Sequence, residues 1–196
     1  DLEMELKKPG TDINIQDSLG STAIAWAALT NNNEAVKLLL QYRADPNIQD
    51  FNGDTPINCS IFTENPSTMG ILLYRRVDIS PNKQTGYSPL HHAVYHHNDL
   101  AFVQPLVEAG CDINAAVGTG SGQTALARAA VQDRDVIVSY LVSQGANINS
   151  VDRRGDSVFL TAVQANSKKV LRILLAAGAN YRSINRRGYT VLHTAA

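Results

Sequence analysis

His92 and His96 stand four residues apart, a spacing that on one helix face can bring two imidazoles to a single metal ion. Cys59 lies 33 positions before His92 and Arg128 lies 36 after it. A cysteine could add a ligand, whereas an arginine would oppose a cation. No fourth ligand suggests itself, so the pattern predicts histidines on a binding face, with a metal site at His92 and His96 as the alternative. The run Gly118, Thr119, Gly120, Ser121, Gly122 invites a phosphate-cradle reading. It lacks the Gly, Lys and Ser/Thr that end such a loop, and it precedes a short helix rather than opening a βαβ unit. Neither Cys59 nor Cys111 has a base arranged for thiolate chemistry, and no Ser, His, Asp order or carboxylate pair stands out. The sequence therefore predicts no catalytic residue, no cofactor and no enzyme. Two arginine pairs, Arg153 with Arg154 and Arg186 with Arg187, repeat at 33 residues. Guanidinium groups grouped in this way suit bidentate contact with carboxylates or phosphates.

Composition narrows the partners. The chain has 196 residues, 44% apolar and 18% charged, so neither disorder nor a fibrous repeat accounts for it. Its net charge of -1 hides an asymmetry: residues 1–98 carry seven basic and eleven acidic side chains, residues 99–196 ten and seven. A nucleic-acid partner is the weaker reading, because the basic patch is short and aromatic residues are not interleaved with it. No apolar run reaches the ~18 residues of a membrane span, and residues 1–16 lack the apolar stretch of a signal peptide. Two cysteines are too few for a disulfide framework and fit a reducing compartment. The expectation is an intracellular protein, cytoplasmic or nuclear, without membrane insertion.

Positioning comes from an internal period. Gly20, Gly53, Gly86, Gly122, Gly155 and Gly188 follow one another at steps of 33, 33, 36, 33 and 33. Two residues after each stands a hydroxyl (Thr22, Thr55, Ser88, Thr124, Ser157, Thr190), and two further on an apolar side chain (Ile24, Ile57, Leu90, Leu126, Phe159, Leu192). The glycine permits the positive φ of a tight turn, and the hydroxyl caps a helix whose first residue is Pro at 56 and 89. A second helix follows, with apolar stripes at Val36–Leu40, Met69–Leu73, Val136–Val142 and Val170–Leu175. Gly110, Gly145 and Gly178 then supply a left-handed stop, where Arg43 and Arg76 stand instead and predict local relaxation into another turn. Pro105, inside the stripe of its helix, predicts a kink. The extra residues of that unit predict a longer, mobile tip at 117–122 and a changed stacking angle between the third and fourth units.

Gly86, Tyr87, Ser88, Pro89, Leu90, His91, His92, Ala93 and its counterparts at 53–60 and 188–196 resemble the turn-and-helix signature of ankyrin repeats. The resemblance spans the whole chain and implies an all-α solenoid of helix-turn-helix units with β-hairpin-like tips. It divides residues 1–196 into a single array: a partial repeat 1–16, repeats 17–49, 50–82, 83–118, 119–151 and 152–184, and a truncated repeat 185–196. A truncated last unit predicts that the segment is a monomeric piece of a longer protein. In this family His91 and His193 would brace their turns. The sites that vary between repeats would face a partner: Leu19, Trp26, Phe51, Asn52, Asp54, Phe62, Tyr87, His92, Tyr95, His96, Arg128, Arg153, Arg154, Arg186, Arg187 and Tyr189. Cys59 falls among the varying sites as well, while Cys111 reads as small core filler. Asn47, Asn114 and Asn149 read as hydrogen-bonding residues across hairpins, and they resemble asparagines that hydroxylases modify in animal ankyrin repeats.

The functional expectation is a non-catalytic module that binds a protein or peptide along the concave, tip-bearing face. Its arginine tips suit acidic or phosphorylated groups. The alternative is a substrate-recruiting arm of a larger enzyme or ligase.

Overall fold

A computed structural model describes residues 2–118 and 120–195. They form two compact units, Asp1–Gln84 and Thr85–Ala196. The first holds α1 (Leu2–Leu6), α2 (Ala23–Leu29), α3 (Asn33–Gln41), α4 (Pro56–Ile61) and α5 (Ser67–Tyr74). The second holds α6 (Pro89–His96), α7 (Leu100–Glu108), α8 (Ala125–Val131), α9 (Asp135–Ser143), α10 (Val158–Gln164), α11 (Lys168–Ala176) and α12 (Val191–Ala195). The described residues contain no sheet; the tips contribute only the isolated antiparallel bridges Ala116 to Thr124 and Val151 to Ser157.

Each short helix begins where the hydroxyl column places it. The side chains of Thr22, Ser88, Thr124 and Ser157 accept a hydrogen bond from the backbone N–H three residues on. Thr55 caps without such a bond, its helix opened by Pro56. Ser88 and His91 close a reciprocal cap, Ser88 N–H donating to His91 Nδ1 at 3.2 Å. The short helices stack on one another, α2 on α4 and α6 on α8, α10 and α12 in turn. Their small residues, such as Ala25, Ala28, Ala129 and Ala130, are buried in those contacts and let the backbones approach. The longer helices form a second layer, α3 beside α5 and α9 beside α11. Leu39, Met69 and Leu72 fill the space between layers in the first unit, as do Leu106, Ile137 and Leu141 in the second. Each such burial contributes roughly 1.5–3 kcal/mol.

Neighbouring tips are joined by backbone. Phe51 N–H donates to Leu19 O at 3.1 Å, Arg153 N–H to Ser121 O at 2.9 Å, and Arg186 N–H to Arg154 O at 3.0 Å. Asparagine side chains tie the connecting stretches: Asn14 accepts from Asp45 N–H, Asn47 from Asp78, Asn114 from Asn147 and Asn149 from Asn180, all at 2.7–2.8 Å.

The helix-stop arginines depart from expectation. Arg43 and Arg76 do not relax but keep φ of 68° and 55°. That geometry lets Arg43 N–H reach Leu40 O at 3.2 Å and Ala44 N–H reach Leu39 O at 2.9 Å, the paired bonds that close a helix end. Losing them would leave the carbonyls of buried Leu39 and half-buried Leu40 unpaired, which outweighs the strain of one left-handed residue. Arg43→Gly and Arg76→Gly are each expected to stabilise the fold by about 0.5–1 kcal/mol, the relief of strain less the added freedom of the unfolded chain. Urea unfolding midpoints check this, and lowered midpoints would contradict it.

Pro105 does not end its helix, and α7 runs from Leu100 to Glu108 through it. The carbonyl that the missing N–H would have bonded belongs to exposed Ala101, where water can serve it. The longer tip at 117–122 includes Thr119, which lies outside the described residues. Beside it, Val117 N–H donates to Gln123 O at 3.0 Å.

Candidate functional site

In the first unit, α2 packs on α4 and the two turns before these helices lie side by side. Between them opens a cleft of about 300 Å³. Leu19, Trp26, Phe51, Asn52, Asp54 and Phe62, expected to face a partner, all line it, together with Leu29 and Asp50. Phe51 is 69% exposed, Leu19 57% and Trp26 44%, large apolar surfaces left in water rather than folded into the core. Trp26 is held in place, because its indole Nε1–H donates to Asp17 Oδ2 at 2.7 Å. The other carboxylate oxygen of Asp17 accepts from Leu19 and Ser21 N–H. These bonds, that of Trp26 first, hold the Asp17 carboxyl below its ordinary range. Asp17 was not among the expected contact residues; as part of the turn it reads as scaffold. The signal for it is Trp26 itself, whose N–H requires an acceptor. Cys59 also corrects the sequence reading. It is buried at the floor of the cleft, and burial first, then the charges of Asp54 and Asp50, push its thiol up to about 12. Burial there favours the neutral thiol over the thiolate.

The second unit gathers Tyr87, His92, Tyr95, His96 and Arg128 into a row of rings. Tyr87 lies 5.4 Å from His92, and His92 stacks on His96 at 6.4 Å with planes 2° apart. Tyr95 meets His96 edge-on at 4.9 Å, and the Arg128 guanidinium sits over the Tyr95 ring at 5.2 Å. Desolvation lowers the His96 pKa, with His97 and Arg134 adding to it. No group of three or more His, Cys, Asp or Glu side chains able to hold a metal occurs among the described residues.

Arg134, which sequence reasoning missed, holds the end of this row. Its guanidinium donates to the carbonyls of Val94, Tyr95 and His97, the last turn of α6. A cation placed there also complements the negative end of the helix dipole. The signal was present only as a basic residue where its helix begins, a position that gives no hint of a bond reaching another repeat.

The arginine tips divide. Arg153 reaches back to the preceding tip, donating to Gly118 O and to Gly120 O. It thus clasps two neighbouring tips while its residue stays exposed. Arg154, Arg186 and Arg187 are exposed, and no acidic side chain pairs with them among the described residues. Tyr189 stacks on His193 at 6.1 Å, and His193 Nδ1 shares a 2.8 Å hydrogen bond with Thr190 Oγ1, bracing the turn.

Helix pairs at this period, capped by these turns and closed over a core of small residues, define an ankyrin-repeat protein. The chain belongs to that family: the model for ankyrin repeats (3 copies) matches residues 4–84, 44–117, 62–152 and 135–196. Among solved structures it is similar to the ankyrin repeat domain of Bcl-3, described as a unique member of the IkappaB protein family. That likeness has 27% identity and a TM-score of 0.88, covering 100% of this chain and 86% of the other. It also resembles the human ASB11 ankyrin repeat domain at 22% identity and a TM-score of 0.84, covering 95% of this chain and 82% of that one. No relative is found among the curated proteins. Ankyrin-repeat domains are in general protein–protein interaction modules. No helix among the described residues is long and apolar enough to cross a membrane.

Proposed function

We propose that this chain is a non-catalytic binding module that holds a protein or peptide partner on the tips and short-helix faces of its repeats. The observation that carries the reading is the partition of side chains. In-phase side chains such as Ile24, Ile57, Leu90, Leu126 and Phe159 are buried and the hydroxyls before them cap helices, whereas Leu19, Trp26, Phe51 and Phe62 break the pattern and stay exposed. Aromatic residues placed this way are typical anchors of protein interfaces. Exposed Arg154, Arg186 and Arg187 add a site for carboxylate or phosphate groups on the partner.

Affinity capture with the native chain tests this beside two double variants. Phe51→Ala with Phe62→Ala should lose the partner. Arg154→Ala with Arg187→Ala should weaken capture and flatten its dependence on salt. Capture that neither variant changes would reject the assigned face, and binding indifferent to salt in the native chain would reject the arginine contribution.

A further inference from the structure

The cleft of the first unit has two kinds of wall. Trp26, Phe51, Phe62, Leu19 and Leu29 supply apolar and aromatic surface, and Asp50 and Asp54 bring carboxylates into the same lining. Asp50 Oδ1 is occupied by Asn52 and Asp54 N–H, yet no lysine or arginine pairs with Asp50 among the described residues, so its charge is not neutralised. The field of the two carboxylates reaches the cleft floor, since both act on the buried Cys59 thiol. The surrounding unit is acidic too, with eleven acidic against seven basic side chains over residues 1–84.

A purely aliphatic ligand would strip water from the Asp50 carboxylate without replacing it. An acidic ligand would be repelled. A flat, weakly hydrated cation on an apolar stem satisfies both walls, lying against the aromatic faces while its N–H groups meet the carboxylates. We propose that this cleft receives an arginine side chain of the bound partner, an assignment that rests on the binding-face reading above and gives it a chemical class. Trp26, fixed by Asp17, and Phe62 flank the guanidinium, Asp50 binds it, and Asp54, whose Oδ1 already accepts from Asn58 Nδ2, adds its negative charge beside them.

The single tryptophan makes the test direct, because the chain has one indole N–H resonance. Three blocked heptapeptides serve as probes, Gly-Ser-Leu-Xaa-Leu-Ser-Gly, with Xaa arginine, citrulline or norleucine. Titration followed at the Trp26 indole should show the arginine peptide binding about tenfold more tightly than the citrulline peptide, with an affinity that falls as salt rises. Asp50→Asn with Asp54→Asn keeps an acceptor oxygen at each turn and should bring the arginine peptide down to the citrulline level, with the thermal unfolding curve unchanged. Equal binding of the three peptides would overturn the arginine assignment while leaving an apolar docking cleft in place. No indole shift with any of them would overturn the cleft as a contact site altogether.

Discussion

Replacing Gly86 by alanine is expected to destabilise the second unit by about 2–4 kcal/mol, the sum of left-handed strain and forced overpacking. Gly86 has φ of +73°, and a Cβ there would lie 2.1 Å from Gly118 N and 2.5 Å from Gly118 Cα. Both atoms are backbone, so no side chain can swing aside to make room. The neighbouring tip would have to withdraw. Gly110 is the control: its φ is +93°, but nothing lies within 4 Å of its Cβ position. Gly110→Ala should therefore cost only the conformational part, about 1–2 kcal/mol. Urea unfolding of both variants separates the two terms. If the two midpoints fall equally, the close approach of the tips at Gly86 is not what requires glycine there.

Acid should weaken the same unit through His91. This imidazole is 2% exposed, and burial pushes its pKa from 6.5 down to about 4, with His92 and Arg128 adding to the lowering. The carbonyls of Gln123 and Ala115 oppose the shift without cancelling it. The folded protein therefore keeps His91 neutral at a pH where the unfolded chain already takes up a proton. The His91 contribution to stability is complete above pH 6.5, falls as pH drops towards 4, and levels off below, by about 3 kcal/mol in all. His91→Asn loses part of the Ser88 cap and should start less stable at pH 7, yet show a flatter decline between pH 6.5 and 5. His96, lowered by partial desolvation first, contributes a slope of the same sign in both proteins. An unchanged slope in the variant would show that His91 is not the proton acceptor.

Much of this architecture was legible because its causes are local. A positive φ at Gly20 or Gly155, a hydroxyl capping α2 or α10, and a proline opening α4 or α6 each depend on a few adjacent residues. Arg43 and Arg76 were harder. Their side chains argue against a left-handed stop, and the decision lay with backbone bonds whose worth depends on burial by neighbouring repeats. Arg153 is similar: its spacing from Arg186 reads as an open cluster, while its actual partners are carbonyls 33 and 35 residues away.

The candidate contact residues were legible as positions but not as a site. Leu19, Trp26, Phe51 and Phe62 depart from the repeat columns, which marks them as free of scaffold duty. That they enclose one cleft floored by Cys59, with Asp17 pinning the indole, follows only once α2 packs on α4.

By itself, then, the order of residues determined the period, the helix pairs, the caps and the division between structural and variable positions. Those are short-range preferences repeated often enough to be unmistakable. Tertiary packing alone decided which variable side chains share a cleft and which turn back upon the tips. Contacts between residues some 30 positions apart take their free energy from shared burial and desolvation, and neither exists until the repeats are stacked.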